Sequence, residues 1–146
     1  MARIKIELPK DFIFSYSMPV RITDLNYGNH VGNDRYLSYL QEARMAWLAG
    51  MGYTELELAG TGLIMSNAMI EFKRELSYGH IISIALAPAD VTKYGFDIYY
   101  KILIQNDGAA IVAAHAMTTM LCYDYTSKKI AAIPQEVLSN IFPKDS

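Results

Sequence analysis

The stretch from residue 33 to 49 constrains the fold more than any other, because a helix with so little polar surface has to be enclosed. Tyr36, Leu37, Tyr39, Leu40, Ala43, Trp47 and Leu48, with Met51 just beyond, are spread round most of its circumference. The polar residues are few: Asp34, Arg35, Ser38, Gln41, Glu42 and Arg44. Asn33 or Asp34 suits the N-cap, and Gly50-Met51-Gly52 ends the helix. A sheet curling round such a helix is the expected cover.

The flanking patterns supply that sheet. Upstream, Phe12, Phe14, Tyr16, Met18, Val20 and Ile22 alternate with Ser15, Ser17, Arg21 and Thr23, the period of a half-buried strand, with Pro19 forcing an edge or a bulge. Asp24 continues the apolar parity, as does Asn26 if strand geometry persists, so both are expected to face the core. Residues 1–11 read as a frayed entry. Downstream, a short helix over 54–59 precedes four strands over 62–76, 81–91, 94–105 and 109–123. Ile64, Ala68, Ile70 and Phe72 share one parity in the first, and Pro88 marks an edge or bulge in the second. Asn106-Asp107-Gly108 is a hairpin signal, and the Ala-rich strand after it expects a close neighbour. A turn over 125–129 leads to a terminal helix over 134–141 with Pro134 at its start. No repeat or linker interrupts residues 1–146, which read as one α+β domain: a curved antiparallel sheet wrapped around one long central helix.

Composition excludes several classes of function. Hydrophobic residues reach 52% while charged ones are only 19%, below the usual quarter, so a subunit interface is expected. A net charge of −2 leaves no basic footprint for nucleic acid. The single cysteine, Cys122, allows no internal disulfide and fits a reducing compartment. The opening residues lack a signal-peptide core, and the apolar run over 109–122 is too short to span a membrane and is broken by His115, Thr118 and Thr119. The chain therefore reads as cytoplasmic, with no membrane partner. No group of residues has metal-ligand spacing, so no metal is expected.

The chemistry concentrates where the first strand hands over to the helix. Within DLNYGNHVGNDRYLSYLQEAR, a carboxylate (Asp24), amides (Asn26 and Asn29) and an imidazole (His30) precede a helix N-terminus with its unpaired N–H groups. The ordered set Asp24, Asn26, Gly28, His30, Val31, Asn33, Tyr36, Glu42 and Arg44 resembles the hotdog-fold thioesterases of the 4-hydroxybenzoyl-CoA thioesterase type. Plant acyl-carrier-protein thioesterases are similar over the same stretch. With the strand order and the closing Asp124 and Ile133-Pro134, the resemblance spans nearly the whole chain.

The resemblance implies a hotdog fold, a homodimer often paired into a tetramer, and sites at the subunit interface. It also implies an acyl thioester of coenzyme A or of an acyl carrier protein as substrate. No metal or organic cofactor is implied, coenzyme A entering only as part of the substrate. One departure bears on mechanism. The second Asp of the family's Asp-x-Asp, usually the base or nucleophile, corresponds to Asn26, and an amide can neither deprotonate water nor attack as a carboxylate. The glycine is displaced too, giving Gly28-Asn29-His30 where Gly-His is common.

Each candidate has two readings. Asp24 is a base, or caps a turn or pairs with Arg21 or Arg44. His30 orients or deprotonates water, or only stabilises the turn. Asn26 holds a carbonyl or a water, or like Asn29 is a turn residue. Val31, Asn33 and Asp34 offer backbone N–H groups to an oxyanion, or the latter two are plain caps. Glu42 is a carboxylate base on the helix, or forms an ion pair with Arg44. Lys73, Arg74, Lys128 and Lys129 meet the phosphates of a nucleotide tail, or are solvated. Asn67 faces an acyl pocket, or marks a bulge or sheet edge; His80 reads as a solvated residue at a strand start, His115 as a satisfied strand histidine and Cys122 as core. The leading expectation is an acyl-CoA thioesterase, with a non-hydrolytic acyl-thioester-binding protein as its rival. A dehydratase using Asp24 and His30 is the third reading.

Overall fold

The computed structural model describes residues 4–143. Strand β1 (Phe14–Pro19) enters a single 3-10 turn (Ile22–Asp24), and helix α1 (Asn33–Gly50) follows. Then come β2 (Gly62–Phe72), β3 (Ile81–Ala89), β4 (Gly95–Ile104), β5 (Ile111–Asp124), the short β6 (Lys129–Ile130) and helix α2 (Gln135–Ile141). The strands form one antiparallel sheet in the order β1-β3-β4-β5-β2, with β6 added on β5. This is the curved sheet around a long helix that defines the hotdog fold.

Alternation explains the core. Phe96, Ile98, Tyr100 and Ile102 of β4, Ile82, Ile84 and Leu86 of β3, and Ala116 and Met120 of β5 are buried in one cluster with Tyr39, Leu40, Ala43, Trp47 and Leu48 of α1. The helix is less enclosed than its composition suggests. Leu37 is 40% exposed, and Gln41 and Glu42 share that open side.

Several sequence expectations are corrected. The first strand stops at Pro19, so Ile22 leaves the buried parity and is 63% exposed. Of the expected frayed entry, residues 1–3 lie outside the described residues. The remainder is tied down at Ile6, which is buried and donates its N–H to Glu71 Oε1 at 3.3 Å. No helix forms over 54–59. There Thr54 Oγ1 accepts from the Glu57 N–H, Leu58 bridges to Thr61, and Ala59 and Gly60 take positive φ. Strand β2 ends at Phe72 rather than 76, and a bulge between Met65 and Asn67 switches its parity. Ile64 pairs with Leu121, whereas Ala68, Ile70 and Phe72 pair with Thr118, Ala116 and Ala114.

Pro88 lies in β3 without damage. The Leu86 carbonyl accepts from Ile13 N–H on the β1 side. Two residues on, the missing Pro88 donor faces the same side, beyond the end of β1. Arg44 does not pair with Glu42: it is buried, with Nε 3.3 Å from Glu55 Oε1 and Nη1 donating to Tyr100 Oη at 3.1 Å.

Candidate active site

Between the 3-10 turn and α1 the chain closes a small loop. Leu25 bridges to Val31, and Asn26 N–H donates to the His30 carbonyl at 2.8 Å. Asn29 takes the left-handed φ of 63°, which an Asn side chain tolerates. The Asn26 side chain holds the loop from within, its Oδ1 accepting the N–H of Gly28 at 2.9 Å and of His30 at 3.4 Å. Asn26 is exposed, because the strand geometry that would have turned it inward ends at Pro19. With Oδ1 facing the loop, Nδ2 is a donor without a partner among the described residues.

Asp24 does face the core, as its parity implied, and is 1% exposed. Its Oδ2 accepts the Arg21 backbone N–H at 3.0 Å, Arg21 Nε at 3.2 Å and the Tyr39 hydroxyl at 2.8 Å. Arg21 Nη2 sits 3.1 Å from Oδ1. Burial pushes the Asp24 carboxyl up, but the Arg21 and Tyr39 hydrogen bonds outweigh it and hold the acid below its ordinary value. The Tyr39 phenol is pushed well up by burial and by that carboxylate, so it stays a donor.

The helix begins at N-cap Gly32, not at Asn33 or Asp34, and no side chain caps it. The three expected oxyanion donors part company. The Val31 N–H is taken by the Leu76 carbonyl at 2.9 Å, while the Asn33 and Asp34 N–H groups have no partner among the described residues. These two point out of the positive end of an 18-residue helix. The Asp34 carboxylate folds back over Gly32, where a methyl group would lie 2.5 Å from Oδ1.

Two cavities flank Asn26. One, of about 280 Å³, is walled by Asn26, His30, Asn33, Tyr36, Phe72 and Glu75, with Val31, Lys73 and Arg74 completing it. The other, of about 420 Å³, is bounded by Asp24, Asn26, Tyr27, Gly32, Asp34 and Arg35. Asp24 forms part of that second wall although its side chain has no exposed surface. The first cavity therefore gathers Asn26, His30 and Asn33, with Asp34 on the far side of the helix start.

Sequence reasoning missed three features of this cavity. Tyr36 and Phe72 meet edge to face, ring centroids 4.9 Å apart. Glu75 lies 3.2 Å from His30 Nε2. The segment from Phe72 to Glu75 closes one side, and nothing local in the sequence brings it next to the helix start. Of the cations considered for phosphate contact, Lys73 and Arg74 line the cavity, Lys73 also pairing with Glu71 at 2.9 Å; Lys128 and Lys129 belong to the distant β5–β6 turn. Glu42 lines neither cavity. Cys122 is fully buried, and burial pushes its thiol up, so it is no nucleophile. Asn67 sits at the β2 bulge, its amide donating to Thr119 Oγ1 at 3.2 Å.

Known proteins are similar to this chain in sequence and fold. A curated relative from Aquifex aeolicus, named "Putative esterase", is 25% identical over 127 residues, 86% of this chain and 94% of its own. An Aquifex aeolicus crystal structure superposes with a TM-score of 0.79 at 25% identity, covering 88% of this chain and 99% of that one. The 1,4-dihydroxy-2-naphthoyl-CoA thioesterase of Synechocystis shares the fold, with a TM-score of 0.79 at 22% identity over 91% and 98% of the two chains. No helix among the described residues is long and apolar enough to cross a membrane. The family model of the Thioesterase-like superfamily matches residues 20–141, and the chain belongs to that superfamily.

Proposed function

We propose that this protein hydrolyses an acyl thioester of coenzyme A or of an acyl carrier protein, as a homo-oligomer. The observation that carries this reading is the Asn33 N–H, without a partner among the described residues, at a helix start that walls a cavity also lined by Asn26 and His30. Attack on a thioester puts negative charge on the carbonyl oxygen, and fixed donors at a helix start stabilise it; one such donor is worth ~10²–10³ in rate. Thiolate is a good leaving group, so the site needs donors and a base more than a strong acid. Asp24 is assigned a positioning role: its Oδ2 accepts three hydrogen bonds, its buried Oδ1 has only the ion-pair contact with Arg21, and it shapes the turn that carries Asn26 and His30.

Tyr36 and Phe72 make one wall aromatic, and Lys73 and Arg74 lie beside them for the phosphates of a carrier. Flat aromatic acyl groups, of the kind named for the Synechocystis protein, therefore belong in any substrate panel. The rival reading, an acyl-thioester binder without turnover, is favoured by the amide at Asn26. Free-thiol release from short, long, branched and aromatic acyl-CoAs separates the two. Hydrolysis is expected from the wild type, with a loss of ~10²-fold in His30→Ala. Saturable acyl-CoA binding with no thiol released across the panel would establish the rival.

A further inference from the structure

The geometry points to Glu75 as the carboxylate that position 26 lacks: we propose that Glu75, oriented by His30, is the general base of the first cavity. This rests on the hydrolytic reading and deepens it. Among the residues lining that cavity Glu75 is the only carboxylate. The alternatives are placed elsewhere: Asp24 is closed in by Arg21 and Tyr39, Asp34 faces the second cavity, and Glu42 faces neither.

His30 itself is poorly arranged to be the base. A carboxylate only accepts, so Nε2, in ion-pair contact 3.2 Å from Glu75 Oε2, is the nitrogen expected to carry the imidazole proton. The bare nitrogen is then Nδ1, which is buried and has no partner among the described residues. The nitrogen that reaches the cavity donates, and the one that could accept is shut away. His30 is thus the positioning residue, and Glu75 keeps a second oxygen free for water.

The segment carrying Glu75 is fixed on both sides. Lys73 and Arg74 donate their N–H groups to the Ala113 carbonyl at 2.8 and 3.0 Å. On the other side, the Leu76 carbonyl accepts from Val31 N–H at 2.9 Å, in the loop that holds His30. Tyr36 in α1 reaches the Arg74 carbonyl at 3.5 Å. The side chain between these anchors is 73% exposed, so water has access to it. An exposed pair of this kind adds little to folding stability, so its variants report on chemistry.

In the step itself the water oxygen bonds to the thioester carbon while one water proton passes to the Glu75 carboxylate. The carbonyl electron pair moves onto oxygen, held by Asn33 N–H and Asn26 Nδ2. Collapse breaks the C–S bond, and the departing sulfur takes the proton back from Glu75. The carboxylate is restored, leaving a thiol and an acid that ionises in solvent.

The test is thiol release by the whole protein as wild type, Glu75→Gln and Glu75→Asp, with kcat and KM resolved. Glu75→Gln is expected to lower kcat ~10²–10⁴-fold at nearly constant KM, and Glu75→Asp to recover part of it. An unchanged kcat in Glu75→Gln overturns the proposal while leaving the hydrolytic reading intact. Nitrogen chemical shifts of His30, recorded at about pH 8 where an ordinary imidazole is neutral, read the pair without substrate. The Nε2-protonated tautomer is expected in the wild type and a mixture in Glu75→Ala; no preference in the wild type also overturns the proposal. A wild type that cleaves nothing removes the hydrolytic reading and the base role together, whatever the tautomer.

Discussion

Asp24 accepts hydrogen bonds from Arg21 and Tyr39, so one carboxylate fixes both the turn after β1 and the face that α1 presents to it. Its acid is held below the ordinary range, so the unfolded chain takes up the proton first as pH falls. The stabilisation is therefore complete above the ordinary carboxylate value and is lost as pH drops through the lowered folded one. Asp24→Asn is expected to flatten the acid side of a melting-temperature profile below about pH 4. An acid limb identical to wild type would show that this carboxylate is not linked to folding. Tyr39→Phe leaves the charge but removes a buried donor, and a loss of ~1.5–3 kcal/mol is expected in denaturant titration. The inward side chain of Asp24 agrees with the parity of Met18 and Val20, but the 3-10 turn that follows Pro19, and that sends Ile22 outward, is what sets it. That Oδ2 accepts from Tyr39 was not legible, because that partner comes from the second turn of the helix.

Elements were legible where their period is uninterrupted and obscure where a single residue breaks it. β4 alternates without a fault from Phe96 to Ile104, and the sequence pattern matches its buried face residue for residue. In β2 the extra residue at Ser66 reverses the parity, and apolar residues on both sides of the bulge conceal the reversal. The segment over 54–59 carries helix-forming residues, yet tertiary pairing of Leu58 with Thr61 and the Leu63 N–H to the Glu55 carbonyl overrides them. Gly95 shows a constraint no periodicity reveals. A methyl group there would run into the Met120 carbonyl oxygen and the Leu121 side chain of the neighbouring strand. Since backbone cannot step aside as a side chain does, Gly95→Ala is expected to cost ~1–3 kcal/mol. Faster amide exchange at Cys122, whose N–H donates to the Tyr94 carbonyl at 2.8 Å, would localise the damage; an unchanged denaturation midpoint would refute it.

At the scale of the whole molecule, the two outer strands are defended differently. β1 has six residues and ends in Pro19, which suits an edge left to solvent. β2 has eleven, from Gly62 to Phe72, with neither Pro nor Lys among them, and it exposes Met65 and Phe72. An edge of that length, interrupted only by the bulge at Ser66 and the charge of Glu71, is a template for another strand, and the high apolar fraction of the chain points the same way. Phe72, Lys73 and Arg74, at and just beyond its end, also wall the first cavity, so a second copy paired along β2 would complete that wall. Light scattering is expected to give the mass of two chains or four. The charged pair of substitutions Met65→Lys with Ala68→Lys should return it to the 16.4 kDa of one chain and depress thiol release, with the secondary structure kept. A wild-type mass of 16.4 kDa with full activity would mean that the open edge is tolerated and that one chain holds a complete site.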